Sequence, residues 1–410
     1  MRKLLLPLLV SWLLACPTFS PRSLAQKISQ PAQESLKTGA DRLDLLLPLL
    51  EGKRVALMVN QSSLLQDGTH LVDTLLARGV KIQRLFVPEH GLRGKVDAGK
   101  HVRHGFDSKT GLPISSLYGQ RKRPTPEMLA DIDAIVFDLQ DVGTRFYTYI
   151  SSMHYLMEAA AEQGKHFIVC DRPNPNDYID GPILEPDCRS FVGVDPLPIL
   201  HGMTIGELAK MINGEGWLRL GGKCDLHVVP LSGWQHGDNY ELPVRPSPNL
   251  PNSLAIARYP SLCFFEATIF SVGRGTKKPF QAIGYPDKRF GSYVFTPEIK
   301  VGEDSNPKHK SKPCYGIDFT EEVFPTRQLN LFPLLYMYQQ AEKLGLTLID
   351  QRQLFDLLAG TKRLRQQLAA GMSEADIRAT WQSGLATFRL KRAKYLLYPD
   401  YPTSLQQQGN

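Results

Sequence analysis

Glu89 and His90 stand immediately after an apolar run, "IQRLFVP", and are followed by Gly91, Arg93 and Gly94. A carboxylic acid held at the end of a buried segment can protonate a leaving oxygen if partial burial raises its pKa. Two further apolar runs end the same way. "DAIVFDL" (133–139) delivers Asp138, Asp141 and then Arg145, and "KHFIVCD" (165–171) delivers Asp171 and Arg172. Arginines beside such acids could hold an anionic substrate group through paired N–H donors. Glycines 91, 94, 143, 273 and 275 would let backbone approach a ligand closely. His201, before Gly202, could contact a ligand or simply complete a turn. Asp138 and Asp141 could equally bind loop amides, and Asp171 before "RPNP" has a structural alternative.

For these tips to meet, the runs that carry them must lie side by side. "RVALMVN" (54–60), "IQRLFV" (82–87), 133–139 and 165–171 read as buried strands. Helical spacing predicts helices over 68–79, 124–132 (with Thr125 as N-cap before Pro126) and 148–164. Continuous apolar strands alternating with helices predict a parallel sheet covered on both faces, a Rossmann-like α/β unit. Ligands of such sheets bind beyond the carboxyl ends of the strands, the edge where the acids and arginines fall. A helix at 204–213 and a strand at 225–231 continue the pattern. "VRPSPNLPN" (244–252) marks a boundary before a smaller, mixed α/β C-terminal domain. There "CFFEATIFSVGRG" (263–275) suggests a strand meeting a glycine loop, 300–313 an exposed loop, and 373–394 one helix capped by Ser373. The expected organisation is a signal peptide (1–25), a flexible leader (26–40), the Rossmann-like domain (41–250) and a domain closing the cleft (251–410).

The chain has 410 residues and a net charge of +7. Arg2, Lys3 and Arg22 supply three of those positives in a stretch without acids, leaving about +4 for the rest. That excess is too mild and scattered for nucleic acid, and no nucleic-acid motif occurs. Arg2 and Lys3 precede "LLLPLLVSWLLA", and "SLA" (23–25) resembles a cleavage site, so export to a periplasm or cell surface is expected. "LLAC" (13–16) is also similar to a lipobox, which would anchor the chain through lipid on Cys16. The run is too short for a comfortable membrane span, and no later stretch reaches that length. Five cysteines follow Cys16, with Cys170 and Cys263 expected to be buried and one disulfide open among the others. The spacings carry no zinc motif, and neither a metal nor another cofactor is expected; His90 and His101 with an Asp form the one alternative metal-ligating set. There is no GxGxxG after the first strand, no Walker loop and no GxSxG elbow, which argues against hydride transfer, nucleotide hydrolysis and esterase chemistry.

"PEHGLRG", "DLQDVGTRFYTYISSM", "DRPNP" with "DGPIL", "LHGMTIGELA", "PSPNLPN", "SVGRGTKKPFQAIGYP" and "YLLYPDY" together resemble the NamZ-type exo-β-N-acetylmuramidases, in the same order over residues 41–400. The resemblance implies a glycoside hydrolase that removes terminal β-linked N-acetylmuramic acid from the non-reducing end of peptidoglycan fragments, with its site between the two domains. It implies Glu89 as catalytic acid, His90 as a neighbour that orients it or touches sugar, and Arg93, Gln140, Arg145, Asp171, Arg172, Asn174, His201 and Arg274 along the cleft. Glycosidases commonly use two carboxylates, but a 2-acetamido group can replace the nucleophile. On this reading Asp138 or Asp141 assists that group or positions water, and Arg172 or Arg274 holds the lactyl carboxylate. Three positions depart from the family pattern: Ala267 replaces a glycine, Lys277 replaces Thr or Asp, and "DRPNPNDYIDGP" is one residue short. A periplasmic sugar- or muropeptide-binding protein without turnover, and a different cell-wall hydrolase such as an amidase, are the alternatives.

Overall fold

The computed structural model describes residues 35–89, 91–92, 105–324 and 327–401. The expected signal peptide, Cys16, the leader up to residue 34, His90, Arg93, Gly94 and His101 lie outside the described residues.

Seven strands form the main sheet: β1 (Arg54–Val59), β2 (Lys81–Val87), β3 (Gly105–Phe106), β4 (Pro113–Ser116), β5 (Ala134–Asp138), β6 (His166–Cys170) and, after a small hairpin of β7 (Ile179–Asp180) and β8 (Leu200–His201), β9 (Asp225–Val229). Their order is β3-β4-β2-β1-β5-β6-β9, all parallel except β3. Alternate side chains of β1 show why the runs are uniformly apolar. Ala56 and Met58 enter one core, whereas Val55, Leu57 and Val59 enter another on the opposite face. The second face is covered by α1 (Leu43–Leu50) and α2 (Leu71–Ala77). The first is covered by α4 (Tyr149–Glu162) and α5 (Ile205–Gly214), with the short α3 (Pro126–Leu129) alongside. Thr204 and Glu207 cap α5 reciprocally, matching the "TIGE" sequence. Thr125 precedes α3 but makes no side-chain cap bond.

The smaller domain begins with α6 (Ser253–Leu262), whose first turn is capped by Asn252. It contains the antiparallel sheet β10 (Ala282–Tyr285), β12 (Cys314–Asp318) and β11 (Tyr293–Phe295), in that order, and helices α7 (Phe332–Lys343) and α8 (Arg352–Ala359). Three more helices follow: α9 (Arg363–Ala369), α10 (Glu374–Ala379) and α11 (Gln382–Arg392). Two expectations are corrected here. The run at 263–267 is a 3₁₀ helix continuing from α6, because Cys263, Phe264, Phe265 and Ala267 are all buried. Residues 373–394 form two helices broken at Thr380, although Ser373 does cap the first. One apolar core runs from the main sheet into this domain. After α11 the chain returns to the first domain, where the Tyr398 hydroxyl donates to Asp171 at 2.5 Å. Cys170, Cys188, Cys224, Cys263 and Cys314 are all buried free thiols, so the disulfide left open above is not formed among them. Among the described residues no helix is long and apolar enough to cross a membrane.

Candidate active site

β1 and β2 lead to one side of the sheet and β5 and β6 to the other, so the connections reverse between β1 and β5. A crevice opens beyond the carboxyl ends at such a reversal. Glu89 follows β2 through Pro88 and is half-buried. It accepts a hydrogen bond from the Thr148 hydroxyl, just before α4, at 3.1 Å. The Tyr118 phenol, one residue beyond the Leu117 amide that pairs with Val87, also hydrogen-bonds Glu89. Burial first, and then the Glu89 charge, push the Tyr118 phenol far above its usual value, while Arg274 opposes them. Tyr118 therefore stays a neutral hydroxyl within electrostatic reach of both Glu89 and Arg274.

Arg274 belongs to the smaller domain. It sits between Gly273 and Gly275, both at φ +76°, where an added Cβ would meet the Lys278 or Glu298 carbonyl oxygen at 2.4 Å. Its Nε donates to Glu266 at 2.7 Å, and the guanidinium carbon lies 5.0 Å from the centroid of the Phe280 ring beneath it. Phe280 holds φ +53°, a costly backbone conformation for an aromatic residue. Its ring meets Tyr259 edge-on at 4.9 Å, and Tyr259 meets Tyr147 in the same way. Tyr147 and Tyr149 both donate to the Pro246 carbonyl at 3.0 Å and form an aromatic wall, and the Glu89 charge reaches the Tyr149 phenol. Arg274 keeps a fifth of its side chain exposed and Glu266 somewhat more.

The other expected site residues are placed differently. Asp138 and Arg172 form a buried bidentate pair at 2.6 and 3.0 Å, and Arg172 also donates to the Leu64 carbonyl. Each is thus engaged by the other and withdrawn from solvent. Arg145 is fully buried and donates to the carbonyls of Pro182, Leu197 and Leu358, so it ties the two domains together. Asp171 accepts from Thr204, Gly206 N, Arg172 N and Tyr398, a full set of partners. Asn174 bridges the Asn176 amide and the Met203 carbonyl. Gln140 donates to the carbonyls of Asp141 and Pro173. These four residues brace loops at the rim.

Asp141 and His201 are less committed. Asp141 accepts from Gly143 N at 2.7 Å, but its other oxygen has no partner. Burial pushes its carboxyl up to about 7. His201 lies 3.9 Å away through an Nε2 that also lacks a partner, and burial pushes it down to about 4. Sequence reasoning overlooked Tyr118, Thr148 and Glu266. Thr148 and Glu266 lie inside stretches already noticed, "RFYTYI" and "FEATIF", whereas Tyr118 follows a strand too short and polar to recognise. Among the described residues, three potential metal ligands gather at His166, Asp225 and His227, on the amino-terminal ends of β6 and β9, opposite the rim.

Two family models match the chain: "Exo-beta-N-acetylmuramidase NamZ, N-terminal" over residues 55–254 and its C-terminal counterpart over 257–398. The chain belongs to the NamZ exo-β-N-acetylmuramidase family. It is 39% identical over 409 residues to the peptidoglycan β-N-acetylmuramidase NamZ of Bacillus subtilis strain 168, covering 92% of this chain and 94% of that one. Two crystal structures of DUF1343 family proteins from Bacteroides fragilis NCTC 9343 are similar. One has a TM-score of 0.81 at 39% identity, spanning 89% of this chain and 99% of that one. The other has a TM-score of 0.74 at 33% identity, spanning 88% and 99%. The departure of Ala267 from the NamZ pattern falls on a fully buried side chain, and Lys277 is exposed.

Proposed function

We propose that this chain is a glycoside hydrolase that removes β-linked N-acetylmuramic acid from the non-reducing end of peptidoglycan fragments, with Glu89 as the proton donor to the leaving oxygen. The observation that carries this reading is the contact of Glu89 with two hydroxyls, one of which also senses Arg274 from the other domain. Hydroxyls donate to a carboxylate and can rotate to accept from a carboxylic acid. Thr148 and Tyr118 can thus serve Glu89 before and after it gives up its proton. Arg274 is the arginine suited to the lactyl carboxylate, since Glu266 engages its Nε and leaves the other guanidinium edge for substrate. With Asp138 neutralised by Arg172, Asp141 is the rim acid with an oxygen to offer, and it would orient the 2-acetamido group as internal nucleophile. Export to a periplasm or cell surface accompanies this reading, because the N-terminal segment resembles a signal peptide and the substrate is cell-wall material.

The test is Glu89→Gln assayed on a chromogenic β-N-acetylmuraminide. The expected result is a loss of kcat by roughly 10²–10⁴ with an unchanged melting curve. Near-normal turnover would overturn the assignment.

A further inference from the structure

A second pocket, of about 560 Å³, lies beside the cleft between the loops after β6 and β9, α6, Phe324, Arg327 and Gln328. That volume is in the range of small-molecule sites. α6 separates it from the catalytic wall: Arg258 lines the pocket, whereas the next residue, Tyr259, faces Tyr147 and Phe280. Two guanidiniums enter it. Arg258 lies 3.9 Å over the Phe324 ring and donates to the Glu322 carbonyl, but its buried Nε has no partner. Arg327 donates to the Asp177 carbonyl at 2.7 Å, lies 4.1 Å over Tyr401 and holds φ +57°. Among the described residues neither guanidinium has a carboxylate at ion-pair distance. The buried acid of the lining, Asp177, is taken by His236 at 2.9 Å, by Gly237 N and by the Tyr401 hydroxyl. Burial accordingly lowers the Arg258 pKa, with Glu322 felt only at longer range.

A half-buried cation without a counterion is costly unless something arrives to pair with it. Guanidinium donors match a carboxylate. Asp238 and Glu241 on the same lining favour an ammonium or amide group and disfavour a multiply charged anion such as phosphate. Tyr178, Leu242 and Ile256 add apolar surface. We propose that this pocket binds a short peptide through its carboxylate, with Arg258 and Arg327 as the anchoring pair. The peptide could be free or carried on the saccharide substrate; the latter case rests on the glycosidase reading above.

The experiment is calorimetric titration of the full chain with an alanyl-glutamate dipeptide, its fully amidated counterpart and inorganic phosphate. Saturable binding of the dipeptide is expected, lost on amidation and weakened about tenfold or more by Arg258→Gln and, separately, by Arg327→Gln. Glu89→Gln should bind the dipeptide normally, which keeps this result independent of turnover. Measuring KM for a saccharide with and without the dipeptide on its lactyl group assigns the source. A rise confined to the peptide-bearing substrate means attached peptide, and no change alongside altered titration means free peptide. Absence of dipeptide binding at millimolar concentration, equal binding of phosphate, or unchanged affinity in both folded variants would overturn the proposal.

Discussion

Replacing Asp138 by Asn separates a scaffold role from a catalytic one. Asp138 is wholly buried and Arg172 nearly so, and their two hydrogen bonds are 2.6 and 3.0 Å long. Burial works against the Arg172 cation, and the Asp138 charge more than offsets it. Asn keeps the shape but removes the charge, leaving a guanidinium in the interior with only the Leu64 carbonyl and one amide oxygen. Breaking a buried pair on one side costs about 3–5 kcal/mol, or roughly two to three and a half powers of ten in the folding equilibrium. Urea unfolding of the variant would read that loss directly.

The neutral double variant Asp138→Asn with Arg172→Gln removes the stranded charge. It should be more stable than the sum of the single changes by about 2–3 kcal/mol in a double-mutant cycle. At a temperature where Asp138→Asn is folded, its kcat should stay within a few-fold of the parent. A fall in kcat of about a hundredfold or more, with no change in stability, would refute the scaffold role and return Asp138 to the chemistry.

Two other outcomes follow from the same geometry. Arg274→Gln should raise KM for the muramic acid substrate about tenfold or more and affect kcat less, with smaller losses on a sugar lacking the lactyl carboxylate; equal losses on both sugars would exclude Arg274 as the carboxylate holder. Asp141 titrates near 7 in the fold against a usual 3.8, so its protonated form is favoured there. Its contribution is complete below about pH 4 and disappears as pH rises through about 7. Asp141→Asn, which can still accept from Gly143 N, should therefore gain stability over the parent from pH 4 to pH 8 in urea melts, and a pH-independent difference would contradict the raised value.

The sheet was legible because its strands are buried on both faces, so β1, β2, β5 and β6 stand out as apolar runs. β4, "PISS", carries no such signal, and Tyr118 was hidden with it. The run at 263–267 misled for the converse reason: a fully buried helical turn and a buried strand look alike when every side is apolar. The break at Thr380 was invisible because its hydroxyl turns back to the Ile377 carbonyl, a local choice that helical spacing does not record.

The rim itself teaches a sharper distinction. Strand order brings acids and arginines to one edge, and sequence alone treats them as equivalent. Once folded, proximity sorts them by partner. An acid that meets a buried guanidinium, as Asp138 meets Arg172, is tied into a bidentate pair and becomes part of the floor. An acid surrounded by amide and hydroxyl donors from the chain around it, as Asp171 is, becomes a brace. Glu89 differs in kind: it is only half-buried, and its described hydrogen bonds include two hydroxyls that can reverse direction. On the proposed reading of Glu89 as proton donor, the capacity to exchange a proton depends less on reaching the rim than on which neighbours wait there. Those neighbours, Tyr118 after β4 and Thr148 before α4, come from segments that no spacing rule connects to residue 89.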